Sequence, residues 1–244
     1  MIEVKGQDRI YTMTKNEFMI LSALKDIAMV YGPETSVKMS EQDFVQILNQ
    51  MLQKGMVENT GGQIVISPKY EFCFEIIKKA DSFFEIISSD EMVPVSFGYI
   101  GKGEDIVIVS VLQACDAKIG MELCSKKDFY KYIEEMQYLP VEPEEDVENE
   151  LDEEISKTHI INEQEEELSI QAEIKNIQNL TIIENIDLKT KEAKRIYIQR
   201  IGIKRIIQLR NQKIRKEYLY TRKNMKRIIS QILFQMRGES DDIS

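Results

Sequence analysis

The sequence is poor in the residues that most often carry chemistry. It has no tryptophan, one histidine and three cysteines among 244 residues. The one histidine, His159, lies in a strongly polar stretch, so histidine-based catalysis would depend on a single loop residue. Cys73, Cys115 and Cys124 lack the close paired spacing of a zinc site and are too few for a disulfide framework. We therefore expect no catalytic residues, no metal site, no cofactor and no enzymatic activity.

Long hydrophobic runs are also missing. No stretch approaches the roughly 20 apolar residues that span a bilayer. The first residues, MIEVKGQDRIYTM, lack the apolar run of a secretory signal. Scarce, scattered cysteines are typical of a reducing compartment. We expect a cytoplasmic protein that does not insert into a membrane.

Charge is abundant but unevenly distributed. The net charge is −10 at pH 7, which argues against general affinity for nucleic acid or anionic lipid. Residues 142–167 hold 13 acids and one lysine, whereas residues 189–237 hold 16 Lys and Arg against two Glu. The basic region, with tyrosines interleaved, could bind RNA or an acidic protein, or it could neutralise the acidic parts of the chain. The sequence leaves both interpretations open.

Residues 1–80 predict a helical, winged-helix-like part. Thr14 and Glu17 form a capping box before one apolar helical pattern, and Ser40 begins a second pattern that Gly55 ends. Gly61-Gly62 is the two-residue turn of a hairpin. A third helix is expected to begin with a cap at Ser67 and Pro68 at its first position.

Residues 81–140 predict an antiparallel meander followed by a helix. The apolar runs are FFEII, VPVSFGYI, IVIVSVL and KIGMELC. Turn residues separate the runs, and the connections are too short for parallel crossovers. GKGED is one such turn and not a phosphate loop, because no GK[ST] follows. The helix is expected to be capped by Ser125 and Asp128 and to pack on one face of the sheet.

Residues 141–167 predict an acidic, exposed linker, and residues 168–244 repeat the unit before it. IGMELCSKKDFYKYIEEM, from Ile119, aligns without a gap to RKEYLYTRKNMKRIISQI, from Arg215, so that Ser125 lies over Thr221. The second unit would use LSIQAEI, LTIIENIDL, RIYIQRI and one strand through residues 203–220. The expected fold class is α+β: winged-helix-like helices, then an antiparallel sheet with two quasi-two-fold related ββββα units.

One functional hypothesis is a winged-helix transcription regulator that binds DNA. In that fold the helix before the hairpin enters the major groove. Here that helix is SEQDFVQILNQMLQKG, and its outward residues are Glu, Gln and Asn with Lys54 as the single cation. Because phosphate contacts need Lys and Arg, the pattern weakens this hypothesis.

The second hypothesis is a partner-binding protein, and it follows a family resemblance. A winged-helix-like N-terminal part, a meander containing VSFGYIGKGEDIVIVSVL and a repeated sheet-plus-helix unit together resemble the EspG-like chaperones of type VII (ESX) secretion systems. The resemblance is one of layout across nearly the whole chain. It implies a cytoplasmic protein that binds a helical secreted substrate, for example of WXG or LXG type, and keeps it soluble.

A sheet edge beside an amphipathic helix would supply a groove for such a helix. Apolar and basic positions alternate in the second-half sheet, where we place the candidate contacts. The candidate partner-binding residues are Ile203, Arg205, Ile206, Leu209, Arg210, Tyr218 and Tyr220.

Overall fold

A computed structural model describes residues 10–27, 31–33, 39–90, 92–111, 118–139, 180–201, 204–211 and 215–234. Over these residues the protein is an α+β molecule with five helices and eleven strands, which confirms the expected class. No helix in these ranges is long and apolar enough to cross a membrane. The predicted acidic linker, the run LSIQAEI, His159 and Cys115 all lie outside the described residues.

The bounds of the helices and strands in the described ranges are as follows. The helices are α1 (Lys15–Leu24), α2 (Glu41–Gln53), α3 (Pro68–Lys78), α4 (Phe129–Glu135) and α5 (Arg222–Leu233). The first strands are β1 (Ile10–Thr14), β2 (Val57–Thr60), β3 (Gln63–Ile66), β4 (Ser82–Ser88), β5 (Val95–Ile100), β6 (Asp105–Val111) and β7 (Lys118–Ser125). The last are β8 (Thr181–Asp187), β9 (Ala193–Ile201), β10 (Lys204–Arg210) and β11 (Arg215–Leu219).

Nine strands are hydrogen-bonded in the order β1-β7-β6-β5-β4-β8-β9-β10-β11, and β2 pairs with β3 separately. The chain divides into two compact units. One contains Met1–Glu85, Glu91–Ser125 and Asp187–Thr190, and the other contains Ile86–Asp90, Lys126–Ile186 and Lys191–Ser244. The element order ββββα occurs twice along the described chain, at β4–β7 with α4 and at β8–β11 with α5. The winged-helix arrangement, the quasi-two-fold relation and the four segments 1–80, 81–140, 141–167 and 168–244 stay predictions.

The capping residues near the N-terminus form the local structure predicted from the sequence. Thr14 Oγ1 accepts a hydrogen bond from Glu17 N at 3.1 Å, and Glu17 Oε2 accepts one from Thr14 N at 2.8 Å. The capping box therefore starts α1. Just before it lies β1, which the sequence analysis missed because a five-residue strand with one polar face carries little signal. β1 pairs antiparallel with β7.

Gly55 ends α2 as expected. Its φ is +64°, and the bonds Gly55 N to Leu52 O and Met56 N to Met51 O form a Schellman motif. Gly61 and Gly62 both have positive φ and connect β2 to β3 through the predicted two-residue turn.

The start of α3 differs from the expected cap. Ser67 occupies the N-cap position and Pro68 follows it, but the Ser67 hydroxyl forms no capping hydrogen bond. That Oγ is buried with no partner among the described residues. The cap residue is thus in the predicted place without the predicted bond.

Hydrogen-bonded ion pairs join the C-terminal end of α1 to α3. Lys25 Nζ lies 2.6 Å from Glu71 Oε1 and 2.8 Å from Glu75 Oε1. Hydrogen bonds from Lys25 and Lys79 lower the pKa of the Glu75 carboxyl to about 2. Two carboxylates of α3 therefore bind Lys25, the residue that follows the last turn of α1. That last turn has no basic residue of its own.

The N-terminal boundary of α4 differs from the prediction. α4 begins at Phe129 with Asp128 at the N-cap, and Ser125 is the last residue of β7. Thr221, in contrast, caps α5 directly, because its Oγ1 accepts a hydrogen bond from Asn224 N at 3.0 Å. Ser125 and Thr221 therefore do not share the role that the ungapped alignment gave them.

The single strand expected through residues 203–220 is two strands, β10 and β11. They pair antiparallel, with Arg210 opposite Arg215 and Ile206 opposite Leu219. The intervening NQKI has neither Gly nor Pro, so the strongest turn signals are missing from the sequence.

Candidate partner-binding surface

The register of β8 to β11 decides which side chains share a face of the sheet. Ile207 lies opposite Ile198 on one side and Tyr218 on the other, so these three share a face. Asn185, on the same face two strands away, donates from Nδ2 to Ile232 O at 3.0 Å. Since Ile232 belongs to α5, this is the helix-covered face of the sheet.

The candidate residues of the sequence analysis are divided between the two faces. Leu209 and Tyr218 fall on the helix-covered face by alternation, and Ile206 falls on the opposite face. Tyr220 follows β11 and is half-buried. Arg205 lies opposite Arg200 in the register, and Ile203 lies outside the described residues. The described members of the set therefore do not form one surface.

Arg210 is an interior residue and not a surface one. Its side chain is 2% exposed, its Nε donates to Gln208 Oε1 at 2.6 Å, and its guanidinium lies 4.7 Å from the centre of the Tyr197 ring. Gln208 in turn donates from Nε2 to Glu217 Oε1 at 2.8 Å. A guanidinium in this position satisfies the polar side chains around it, so we remove Arg210 from the candidate surface.

Other cations of the basic region also contact partners inside their own unit. Arg195 Nε lies 2.8 Å from Glu184 Oε1 across β8 and β9. Arg222 Nη2 lies 2.9 Å from Glu134 Oε1, which connects α5 to α4. The basic region is therefore partly neutralised within the sheet and between its helices.

α4 and α5 also touch through aromatic side chains. The rings of Phe129 and Phe234 meet edge-on with centroids 5.5 Å apart, and Lys226 Nζ lies 4.8 Å from the centre of the Tyr130 ring. The next residue of α5 also lies over a ring, because the Arg227 guanidinium is 5.7 Å from the centre of the Tyr218 ring. β11 is the last strand in the sheet order, so its outer edge, with Tyr218 and α5 beside it, is the remaining candidate surface.

The helix assigned to DNA binding in the first hypothesis offers little to phosphate. Lys54, the cation expected at its end, lies 2.6 Å from Glu17 Oε1, a carboxylate that is 2% exposed. A shallow, open depression of about 750 Å³ lies along α2, and the described residues that line it are Glu41, five amide side chains and Val45. Lys54 is thus bound to a carboxylate of its own unit.

The described cysteines are buried. Burial raises the pKa of the Cys73 thiol to about 12 from its ordinary 9.0. Cys124 is also buried, and its Sγ donates to Ser125 O at 3.3 Å. A buried thiol with a raised pKa is a poor nucleophile, so Cys73 serves as a core residue.

No known family model matches the sequence, and no curated protein matches it. The fold of the protein does match a solved structure. The structure of the Mycobacterium tuberculosis type VII secretion system chaperone EspG5, in complex with the PE25–PPE41 dimer, superimposes with a TM-score of 0.58 at 10% identity. The match covers 95% of this chain and 98% of that chain.

The fold is similar to that of a type VII secretion chaperone. This confirms, for the fold, the EspG-like resemblance inferred from the layout of the sequence. Since so few residues are identical, the similarity extends to the arrangement of the chain and not to particular contact residues.

Proposed function

We propose that this protein is a non-enzymatic, cytoplasmic chaperone or accessory factor of a type VII secretion system that binds a helical secreted protein. The observation that supports the proposal is the similarity in fold to EspG5 over nearly the full length of both chains. EspG5 was solved with a PE25–PPE41 dimer, which makes a secreted protein the kind of partner to expect.

The proposed role is to hold its partner through surface complementarity. β11 ends the sheet order, and Tyr218 and Tyr220 at this edge are half-buried. Tyrosines of this kind are enriched among the residues that dominate binding energy at interfaces. α5 lies beside the edge, and together they offer a ridge and a groove to a partner helix.

The first experiment is purification of the tagged full-length protein from its native cell, followed by mass spectrometry. We expect a small secreted helical protein to be recovered, and the purified pair to stay soluble under conditions where the partner alone precipitates. Recovery of nucleic acid instead, or a partner that is equally soluble alone, would contradict the proposal.

The second experiment locates the partner-binding site by comparing the affinities of two variants. We expect Tyr220→Ala to weaken binding of the purified partner about tenfold, as truncation of an interface aromatic does. Phe72→Ala removes an aromatic side chain that is 51% exposed on α3, in the other unit, and serves as the matched control. Equal losses for the two variants would show that the partner does not bind at the β11 edge.

A further inference from the structure

The outer side of α5 carries three exposed cations. Lys223, Lys226 and Arg227 are all exposed, and their spacing of three and four residues brings them to one side of the helix. We call these three residues the α5 basic face. Met225, Ile228, Ile229 and Leu233 on the other side of the helix are buried, so α5 is fixed with this face outward.

Aromatic rings hold two of the three cations in place. Tyr130 lies under Lys226, with its ring centre 4.8 Å from Nζ, and Tyr218 lies under Arg227 at 5.7 Å. A cation placed over a ring keeps its charge and its outward hydrogen-bond donors, and it loses conformational freedom before any partner arrives.

The neighbouring carboxylate is already engaged elsewhere. Glu134 pairs with Arg222, one residue before the α5 basic face. Within the described ranges no carboxylate forms an ion pair with Lys223, Lys226 or Arg227. The described part of the chain therefore leaves the positive charge of this face available to an acidic group.

We propose that the α5 basic face binds an acidic segment of a protein partner, one that presents two or three carboxylates on one side of a helix. Residues 223 and 227 are about 6 Å apart along the helix axis, the spacing of carboxylates one turn apart on a second helix. The inference rests on the proposed function for the helical nature of the partner. Beyond the proposed function, the inference specifies that the bound segment is acidic and that Lys223, Lys226 and Arg227 bind it.

Two properties favour a protein over nucleic acid or an anionic membrane. The net charge of −10 repels an extended polyanion approaching from a distance. In addition, tight binding to a duplex commonly involves about 6–10 phosphate contacts, and the α5 basic face supplies three cations. A short acidic segment matches both the charge and the size of the face.

The test is a titration of the full-length protein, at low ionic strength, with a synthetic alanine-based helical peptide that carries Glu every fourth residue on one side. We expect the peptide to perturb the backbone amide signals of α5 and α4. We also expect the charge-reversed variant Lys223→Glu/Lys226→Glu/Arg227→Glu to weaken binding about tenfold or more.

Two controls decide between specific recognition and net charge. The variant Lys69→Glu/Lys102→Glu/Lys118→Glu changes the charge by the same amount at exposed sites in the other unit, and Lys69 there also lies over tyrosine rings. We expect this variant to bind the peptide nearly as well as the unaltered protein. The same peptide with Gln for Glu should not bind. A loss as large in the control variant, or equal binding of the Gln peptide, would overturn the proposal.

Duplex DNA and phosphatidylserine vesicles extend the same titration to other polyanions. Stronger binding of either than of the Glu peptide would also overturn the proposal.

The native partner separates this inference from the proposed function. If a secreted partner is recovered and the charge-reversed variant binds it as tightly as the unaltered protein does, the α5 basic face is not its site and the proposed function stands. If no secreted partner is recovered but the Glu peptide binds at α5, the proposed function fails and the acidic specificity stands.

Discussion

At Gly98 the backbone of β5 runs directly over an aromatic ring. A Cβ atom built at this position would lie 1.8 Å from Cζ of Phe84, on β4. Phe84 is completely buried, so its ring has little room to move aside. The absence of a side chain at residue 98 is therefore a packing requirement of the first meander. Gly101, just beyond the strand, has nothing within 4 Å of the position that a Cβ atom would occupy.

We expect Gly98→Ala to lower the free energy of unfolding by at least about 1–3 kcal/mol, because the added methyl overpacks the core. Urea denaturation followed by circular dichroism measures the loss. Gly101→Ala is the matched control and should leave the midpoint nearly unchanged. If the two variants unfold at the same urea concentration, the Phe84 ring does not occupy the space beside residue 98.

At the scale of single elements, four of the described helices have a hydroxyl residue at the N-cap, and the hydroxyls do different things. Thr14, Ser40 and Thr221 each accept a hydrogen bond from the backbone N–H three residues later. Ser67 precedes α3 in the same position, but its buried hydroxyl has no such bond. The sequence thus identifies the residue at the N-cap position. Whether its hydroxyl accepts a hydrogen bond from the helix backbone depends on the local geometry.

We expect Thr14→Ala and Thr221→Ala each to destabilise the protein by about 1 kcal/mol, the usual cost of a lost N-cap. Ser67→Ala should be neutral or slightly stabilising, since it removes a buried hydroxyl that lacks a partner. Thermal unfolding of the three single variants makes the comparison. A loss at Ser67 equal to that at Thr14 would mean that the Ser67 hydroxyl caps α3 after all.

At the scale of the whole molecule, neither compact unit is one continuous piece of chain. α4 follows the first meander in sequence but belongs to the unit that contains α5. Its contacts there include Phe234, Lys226 and Arg222. The C-terminal part of the chain therefore helps to cover the apolar side of a helix that lies about a hundred residues earlier.

We expect a fragment that ends at Leu139 to expose the apolar side of α4, where Phe129 and Ile133 are fully buried in the complete chain. The fragment should bind several-fold more of a hydrophobic dye such as ANS than the full-length protein. The same fragment with Phe129→Ser and Ile133→Ser should lose much of that excess. Dye binding no higher than that of the complete chain would show that α4 does not depend on the C-terminal part.

Local signals in the sequence determined much of the fold. The capping box at Thr14, the Gly55 stop, the Gly61-Gly62 turn and the four apolar runs before residue 126 all mark elements of the structure. Each of these signals depends on neighbours within a few residues, which is why the sequence alone carries them. The α+β class and the likeness to a type VII secretion chaperone followed from the order of these elements.

The tertiary structure alone decided the composition of the candidate surface. Strand register depends on pairing between distant segments, and it placed Ile206 and Tyr218 on opposite faces of one sheet. Burial depends on what packs around a residue, and it moved Arg210 from a predicted contact to the interior beside Tyr197. The rings under Lys226 and Arg227 come from α4 and β11, elements that a scan along the helix cannot bring together.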